Sequence, residues 1–295
     1  MKKIIVIFIS LIIIVGTTFF FLFNKEEKIS EYAYSTNIDY SNVKELDIDL
    51  YSRGYLLVRL NDFKALYGKR YDNIFYPASL TKVVALNTVL NRCSNLEDTS
   101  HIEQVQYDSL WDEGASLYGL TIDEEYSIKD LLYYLVLPSG ADAGVALENY
   151  FEKNGSSLVE EMNMRCKELG IEGSHFTNPT GLHDDNLYTT LKDLAVIYID
   201  TLKYDVGKDV LKTSFSSEYN LYSTLYKLAN NRDDDITIFG GKTGFTPEAG
   251  QNIIFFYEVD NKSYMLMLYG ADGNGLSGES LHFEDANKVL DYLYN

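Results

Sequence analysis

Ser79-Leu80-Thr81-Lys82, preceded by Tyr76-Pro77-Ala78, is the stretch on which the reading of this chain turns. Pro77-Ala78 leads into a run whose apolar positions Leu80, Val83, Val84 and Leu90 recur at helical spacing, which predicts a helix opening at Ser79. Residues three apart share a helix face, so the Ser79 hydroxyl and the Lys82 amine are expected to meet. A lysine so placed serves as a base for the serine when burial and a second cation lower its pKa. Two further stretches supply what acyl transfer needs beyond a nucleophile and a base. Ser139-Gly140-Ala141-Asp142 follows the helix breaker Pro138, and Lys242-Thr243-Gly244 follows Gly240-Gly241. Each is a common match by itself; their joint occurrence, order and setting carry the argument.

Outward from Ser79 the pattern divides into two kinds of structure. Residues 55–60 read as a strand, Asn61-Asp62 as a turn and residues 64–67 as the hairpin partner. From about residue 100 to 205 the period is helical. Ser127 caps a helix through Val136, residues 141–150 resume it after Pro138, residues 158–169 form an amphipathic helix closed by Gly170, and Thr190 caps one more to about Leu202. Residues 236–243, 252–258 and 263–269 read as strands, with Asp260-Asn261 as a hairpin turn, and residues 279–293 as a closing amphipathic helix. Strands at both ends of a helical middle predict an α+β fold: one sheet from distant segments, a helical lobe, and a cleft between them. On this layout Ser79 opens a helix, where its N–H and the helix dipole face any oxyanion formed there. Ser139 follows a helix break, and Lys242 lies on a strand of the other lobe. Gly240-Gly241 is expected to let a substrate backbone come close.

The chain has 295 residues, 46% of them hydrophobic, enough for a sizeable core. Lys2-Lys3 precedes an uncharged run over residues 4–23, which as a helix would rise about 30 Å, the thickness of a bilayer core. It carries no small-residue cleavage site of the A-x-A kind, so residues 1–23 are expected to form an uncleaved signal anchor. The lysines then stay inside, the chain is single-pass, and everything after about residue 24 lies outside the membrane. Polar residues 24–46 read as a tether and residues 47–295 as the catalytic domain. A net charge of −19 argues against nucleic acid and against anionic lipid on the domain surface. Cys93 and Cys166 read as small buried groups rather than a pair. His101, His175, His183 and His282 show no metal-ligand spacing, and no metal or cofactor is expected.

With these residues placed, the chain resembles the serine-type D-Ala-D-Ala carboxypeptidases, the low-molecular-weight penicillin-binding proteins of peptidase family S11. Their signature is S-x-x-K, then S-x-N, then K-T-G. Tyr76-Pro77-Ala78-Ser79-Leu80-Thr81-Lys82 is similar to the family's nucleophile segment and Leu137-Pro138-Ser139-Gly140-Ala141-Asp142-Ala143 to its second motif. His175-Phe176-Thr177-Asn178-Pro179-Thr180-Gly181-Leu182-His183-Asp184 is similar to a loop typical of these enzymes, and residues 241–250 to the third motif. The resemblance implies a β-lactamase/transpeptidase-like fold, an antiparallel sheet flanked by helices with a mainly helical lobe. It implies Ser79 as nucleophile, Lys82 as base and Ser139 as proton relay. It also implies an oxyanion hole of the Ser79 and Phe245 N–H groups, and Lys242, Thr243 and Gly244 as the substrate-binding strand. The substrate would be a peptidoglycan stem peptide ending in D-Ala-D-Ala, with β-lactams as covalent inhibitors.

One position departs from the pattern: the second motif has Ala141 where the family usually has Asn. Asp142 cannot stand in for it, because the next helical position points about 100° away; it is expected to pack or hydrogen-bond within the helical lobe. Asn178-Pro179-Thr180-Gly181 reads as a turn bracing the cleft, and His183 as structural. Two other readings remain open at this point. A class A-like β-lactamase would need a carboxylate to activate the deacylating water, and the loop after His175 offers Asp184 and Asp185 but no glutamate. A membrane-tethered binder of stem peptides with weakened catalysis is the other, suggested by Ala141.

Overall fold

Two strands at the start of the domain and three near its end form one antiparallel sheet. A computed structural model describes residues 36–231, 235–272 and 280–294. Contacts group Ser35–Asn295 as one unit, apart from Met1–Tyr34. The sheet comprises β1 (Gly54–Arg59), β2 (Lys64–Lys69), β7 (Thr237–Thr246), β8 (Gly250–Val259) and β9 (Lys262–Ala271), in the order β2-β1-β9-β8-β7. Two short two-stranded sheets, β3 (Thr99–Ser100) with β4 (Tyr126–Ser127) and β5 (Phe215–Ser216) with β6 (Leu221–Tyr222), lie outside it. The helices are α1 (Thr81–Arg92), α2 (Gln104–Asp112), α3 (Ile128–Val136), α4 (Ala141–Lys153), α5 (Leu158–Glu168), α6 (Leu191–Thr201), α7 (Asp205–Leu211), α8 (Tyr226–Asn230) and α9 (Leu281–Tyr294). The expected α+β layout, with strands at both ends of a helical middle, is what the chain adopts.

The central strands β8 and β9 read as nearly continuous apolar runs because both faces are covered. Register places Leu57 opposite Leu266, and Leu266 opposite Phe255, so these side chains line one face. That face packs on Ala286, Val289 and Leu290 of α9 and on Leu225 and Leu228 beside and within α8. On the other face Leu56, Val58, Ile254, Phe256, Met265 and Met267 are buried. Phe256 there meets Tyr198 of α6. The β8–β9 hairpin turns on Asp260 and Asn261, both at positive φ (51° and 57°), as a two-residue turn of the right hand requires.

Local signals hold well in the helical lobe. Ser127, Ser157 and Thr190 cap α3, α5 and α6 through hydrogen bonds accepted from the backbone three residues on. Gly170 ends α5 at φ 71°. Helix α1 differs from its amphipathic reading: Thr81 through Val89 are all buried. It runs through the middle of the lobe, packed against α6, α5, α3 and α7, so its polar positions are interior too.

Residues 36–46 of the expected tether are part of the domain. Residues 36–46 pad the outer edge of β2, with Asp39 N donating to Phe63 O (2.9 Å), Ala65 N to Asp39 O (3.0 Å) and Gly68 N to Lys44 O (2.9 Å). Ile38 and Leu46 are buried, and Leu46 N donates to Tyr55 Oη at 2.6 Å. An exposed sheet edge invites pairing with other chains, and covering it removes that template. The sequence of this stretch is polar enough to read as linker, because only two of its side chains enter the core. The expected anchor, residues 1–23, and the tether up to residue 35 lie outside the described residues. Among the described residues no helix is long and apolar enough to cross a membrane.

A chain beginning at residue 47 should therefore be less stable than one beginning at residue 36, by about 3 kcal/mol for the loss of Ile38 and Leu46 burial. Urea unfolding of the two forms measures the difference, and equal midpoints would show that the segment only rests on the sheet.

Candidate active site

The segment around Ser79 is held from several directions before any chemistry is considered. Phe75 pairs with Thr189 through two backbone hydrogen bonds and stacks on Tyr269 at 4.3 Å. Asn252, fully buried on β8, donates to Tyr76 O (3.0 Å) and Pro77 O (3.3 Å) and accepts from Gly270 N (2.8 Å). Residues Ala78–Leu80 form one 3-10 turn that runs directly into α1, so Ser79 stands at the helix entrance, half-buried. Ala78 reaches this turn at φ 49°, a left-handed conformation that a side chain disfavours and that the surrounding bonds must hold.

Lys82 Nζ lies 2.9 Å from Ser79 Oγ and donates to Thr180 O at 2.5 Å. The side chain is only 2% exposed. Burial pulls its pKa from the usual 10.5 to about 7, opposed by the negative charge of Asp142. Asp142 is itself buried and accepts from Tyr118 N (2.9 Å), Gly119 N (2.7 Å) and Leu120 N (2.9 Å). It thus hydrogen-bonds within the helical lobe, as expected, and its charge also reaches Lys82.

The other motifs converge on the same place. Ser139, at φ 67° between α3 and α4, is 5% exposed and its hydroxyl makes no hydrogen bond among the described residues. Ala141 opens α4 and is 1% exposed, a methyl with nothing polar to offer. Strand β7 is a sheet edge paired on one side with β8, and at Gly244 it passes close against the Ala78–Leu80 turn. A Cβ on Gly244 would lie 3.0 Å from Ser79 N and 2.8 Å from Pro77 O, so glycine is what lets the strand pass Ser79. Thr243 is half-buried and Phe245 is 36% exposed. Lys242 is fully buried rather than on the surface, and its Nζ donates to Thr243 O at 2.9 Å. Burial and then the charge of Lys82 hold its pKa well below the usual lysine value.

A sequence model of the family described as D-alanyl-D-alanine carboxypeptidase, peptidase S11, matches residues 40–272. The chain belongs to that family. DacF of Bacillus subtilis, a D-alanyl-D-alanine carboxypeptidase, is 27% identical over 257 residues, covering 83% of this chain. DacA of Haemophilus influenzae, another, is 29% identical over 227 residues, covering 72% of this chain. The chain spans 62% and 55% of the lengths of these two relatives. The Streptomyces K15 DD-transpeptidase superposes with a TM-score of 0.71 at 22% identity, over 85% of this chain and 98% of that one. The D-alanyl-D-alanine carboxypeptidase of Mycobacterium tuberculosis H37Rv gives 0.72 at 20% identity, over 88% and 96%. These two share the fold.

Within this S11 domain, some readings change and some groups are new. Gly240 and Gly241 make room for the protein and not for a substrate. A Cβ on Gly240 would meet Leu211 O at 2.8 Å, and one on Gly241 would meet Ile254 O at 2.1 Å. Just before this pair the register of β7 on β8 shifts by a bulge between Ile238 and Gly240. Asp184 and Asp185 serve the loop: Asp184 accepts from Asn186 N at 2.7 Å, and Asp185, 3.4 Å from His183, is largely exposed. His183 stands edge-on to Tyr76 at 4.8 Å. Cys93 and Cys166 are free, as expected. Two groups escaped the sequence reading, the Thr180 carbonyl and the Asn252 amide. The first has no letter of its own; the second was visible as a polar residue heading an apolar strand, Asn252-Ile253-Ile254-Phe255-Phe256.

Asn252→Ala should cost about 1–3 kcal/mol, because it leaves two carbonyls and an N–H buried without partners. It should also slow covalent labelling of Ser79 at temperatures where the variant is folded. Thermal unfolding and labelling kinetics together check this; normal labelling in a destabilised variant would confine Asn252 to the fold.

Proposed function

We propose that this chain is a serine peptidase that removes the terminal D-alanine from peptidoglycan stem peptides through an acyl-enzyme on Ser79. The observation that carries the reading is the 2.9 Å contact between Ser79 Oγ and a buried Lys82 amine whose pKa is pulled down to about 7. Such an amine is substantially unprotonated near neutrality and takes the hydroxyl proton as the serine attacks. The peptide lies along the free edge of β7 as an added strand. The N–H groups of Ser79 and Phe245 bind the oxyanion, an assignment supported by the close approach of Gly244, the residue before Phe245, to Ser79 N. Ser139, whose hydroxyl has no other partner among the described residues, passes a proton to the leaving amine. Water then releases the acyl group, and a β-lactam acylates Ser79 by the same attack.

Thr243 meets the substrate's terminal carboxylate at the surface, while Lys242 acts on it from beneath. In the free enzyme Lys242 is held well below its usual pKa. An arriving carboxylate favours its charged form, and the repulsion between the two lysines then favours the neutral, base-competent form of Lys82. A free C-terminus thereby prepares the base that cleaves beside it. Ala141 removes one amide from this site; a single hydrogen bond is worth about 1 kcal/mol, so it tunes the rate without changing the reaction. Residues 4–23, uncharged behind Lys2-Lys3, support attachment by an N-terminal anchor with the peptidase outside the membrane.

The soluble part, incubated with a fluorescent penicillin and with a pentapeptide ending in D-Ala-D-Ala, tests the reading, with Ser79→Ala as control. Stable Ser79-dependent labelling and D-alanine release are expected. Rapid penicillin turnover would make it a lactamase, and absence of both reactions would leave a binder. The pH dependence has a definite sign. The reactive form is the unprotonated amine, so the acylation rate constant should rise about tenfold per pH unit well below 7 and level off above it. A rate that falls through that range would rule out Lys82 as the base.

A further inference from the structure

We infer that Asn178 is a positioning residue for the base: its side chain sets the Thr180 peptide so that the Thr180 carbonyl holds Lys82 Nζ against Ser79. This rests on the reading of Ser79 and Lys82 as nucleophile and base. Asn178 Oδ1 accepts three hydrogen bonds, from Thr180 N (3.1 Å), Thr180 Oγ1 (2.9 Å) and Gly181 N (2.7 Å). Its Nδ2 donates to Leu182 O at 3.0 Å, so one side chain closes the whole turn from 178 to 182. The far side of that turn is pinned as well. Gly181 sits at φ 82°, and a Cβ there would lie 2.0 Å from Ala78 O, so the turn is seated directly on the nucleophile segment. The Thr180–Gly181 peptide is thereby denied rotation from both directions, and its carbonyl points at Lys82.

The chemical consequence follows from the donor count of an amine. Unprotonated Lys82 has two N–H bonds and one lone pair. With one N–H committed to Thr180 O, rotation about the Cε–Nζ bond is restricted, and the lone pair is left for the Ser79 hydroxyl proton. After transfer the same carbonyl stabilises the ammonium. Thr180 O and Ser79 Oγ are the hydrogen-bond partners of Lys82 among the described residues. Ala141 supplies none, so the orienting task falls to the carbonyl. The charged group whose field acts on Lys82 is Asp142 on α4, which favours the ammonium; on β7 the effect runs the other way, the charge of Lys82 lowering the pKa of Lys242.

The test measures the acylation rate of the soluble enzyme by a fluorescent penicillin from pH 5 to 9, with thermal unfolding of each variant. Asn178→Ala should lose about tenfold in rate and move the inflection to lower pH, because the ammonium loses an acceptor. Asn178→Asp keeps an oxygen for the three accepted bonds and adds negative charge; it should recover most of the rate and move the inflection upward. A wild-type rate and inflection in Asn178→Ala would overturn the inference. So would a loss of rate with an unmoved inflection that Asp fails to rescue. Should Asn178→Ala not fold, Thr180→Val, which removes the Oγ1 bonds and keeps the carbonyl, should show a smaller change in the same direction; no change in either quantity overturns the inference. Ser79→Ala separates the two levels. Labelling that survives it refutes the nucleophile itself, whereas a silent Ser79→Ala beside an unaffected Asn178→Ala refutes only the role of Asn178.

Discussion

An amine kept dry is the constraint on which the site depends. A lysine at its ordinary pKa of 10.5 is a cation at neutral pH and cannot accept a proton, whereas Lys82 is brought to about 7 by burial. That burial is a property of the whole lobe. Helix α1 is enclosed from Thr81 to Val89, β7 lies against the turn before it, and the 178–182 turn closes the remaining side. Removing water from an ammonium costs several kcal/mol, so the arrangement persists only because the amine is left with hydrogen-bond partners when neutral. The Asp142 carboxylate, fixed by three backbone donors, limits how far the shift goes.

The same residues show what a sequence displays and what it conceals. Caps at Ser127 and Thr190 act over three residues, and strand or helix period acts over a few more, so these elements were legible from local spacing. The meeting of Ser79 with Lys82 was legible for the same reason. Asp142 was correctly kept out of the role of the missing amide by helix geometry alone. Long-range partners were not legible. Nothing near Lys82 in the chain announces Thr180, 98 positions away, because a backbone carbonyl is common to every residue. Gly240 and Gly241 were read as room for a ligand because glycine states that something comes close without stating what. Residues 36–46 passed for linker because their attachment is through main-chain hydrogen bonds, which composition does not record.

Ala141 takes a different meaning in this setting. Considered as a motif position, it is a lost amide beside the substrate. Considered in the fold, it is a methyl at the start of α4 whose neighbour, Asp142, carries the charge and whose opposite wall, the 178–182 turn, carries the hydrogen bond. The functions a single asparagine could combine are divided between an electrostatic contact on one element and a neutral acceptor on another.

The Asn252 amide has a consequence for when the protein becomes reactive. It ties the carbonyls of Tyr76 and Pro77 to the N–H of Gly270, segments nearly two hundred positions apart. Pairing of β1 with β9 spans a similar separation. Contacts of that range are entropically slow to form and come together only when most of the chain is present. A nascent or partly unfolded chain thus holds Ser79 and Lys82 as an ordinary alcohol and an ordinary ammonium in water. Reactivity arises with closure of the sheet, which makes chemical silence the default of every incomplete form.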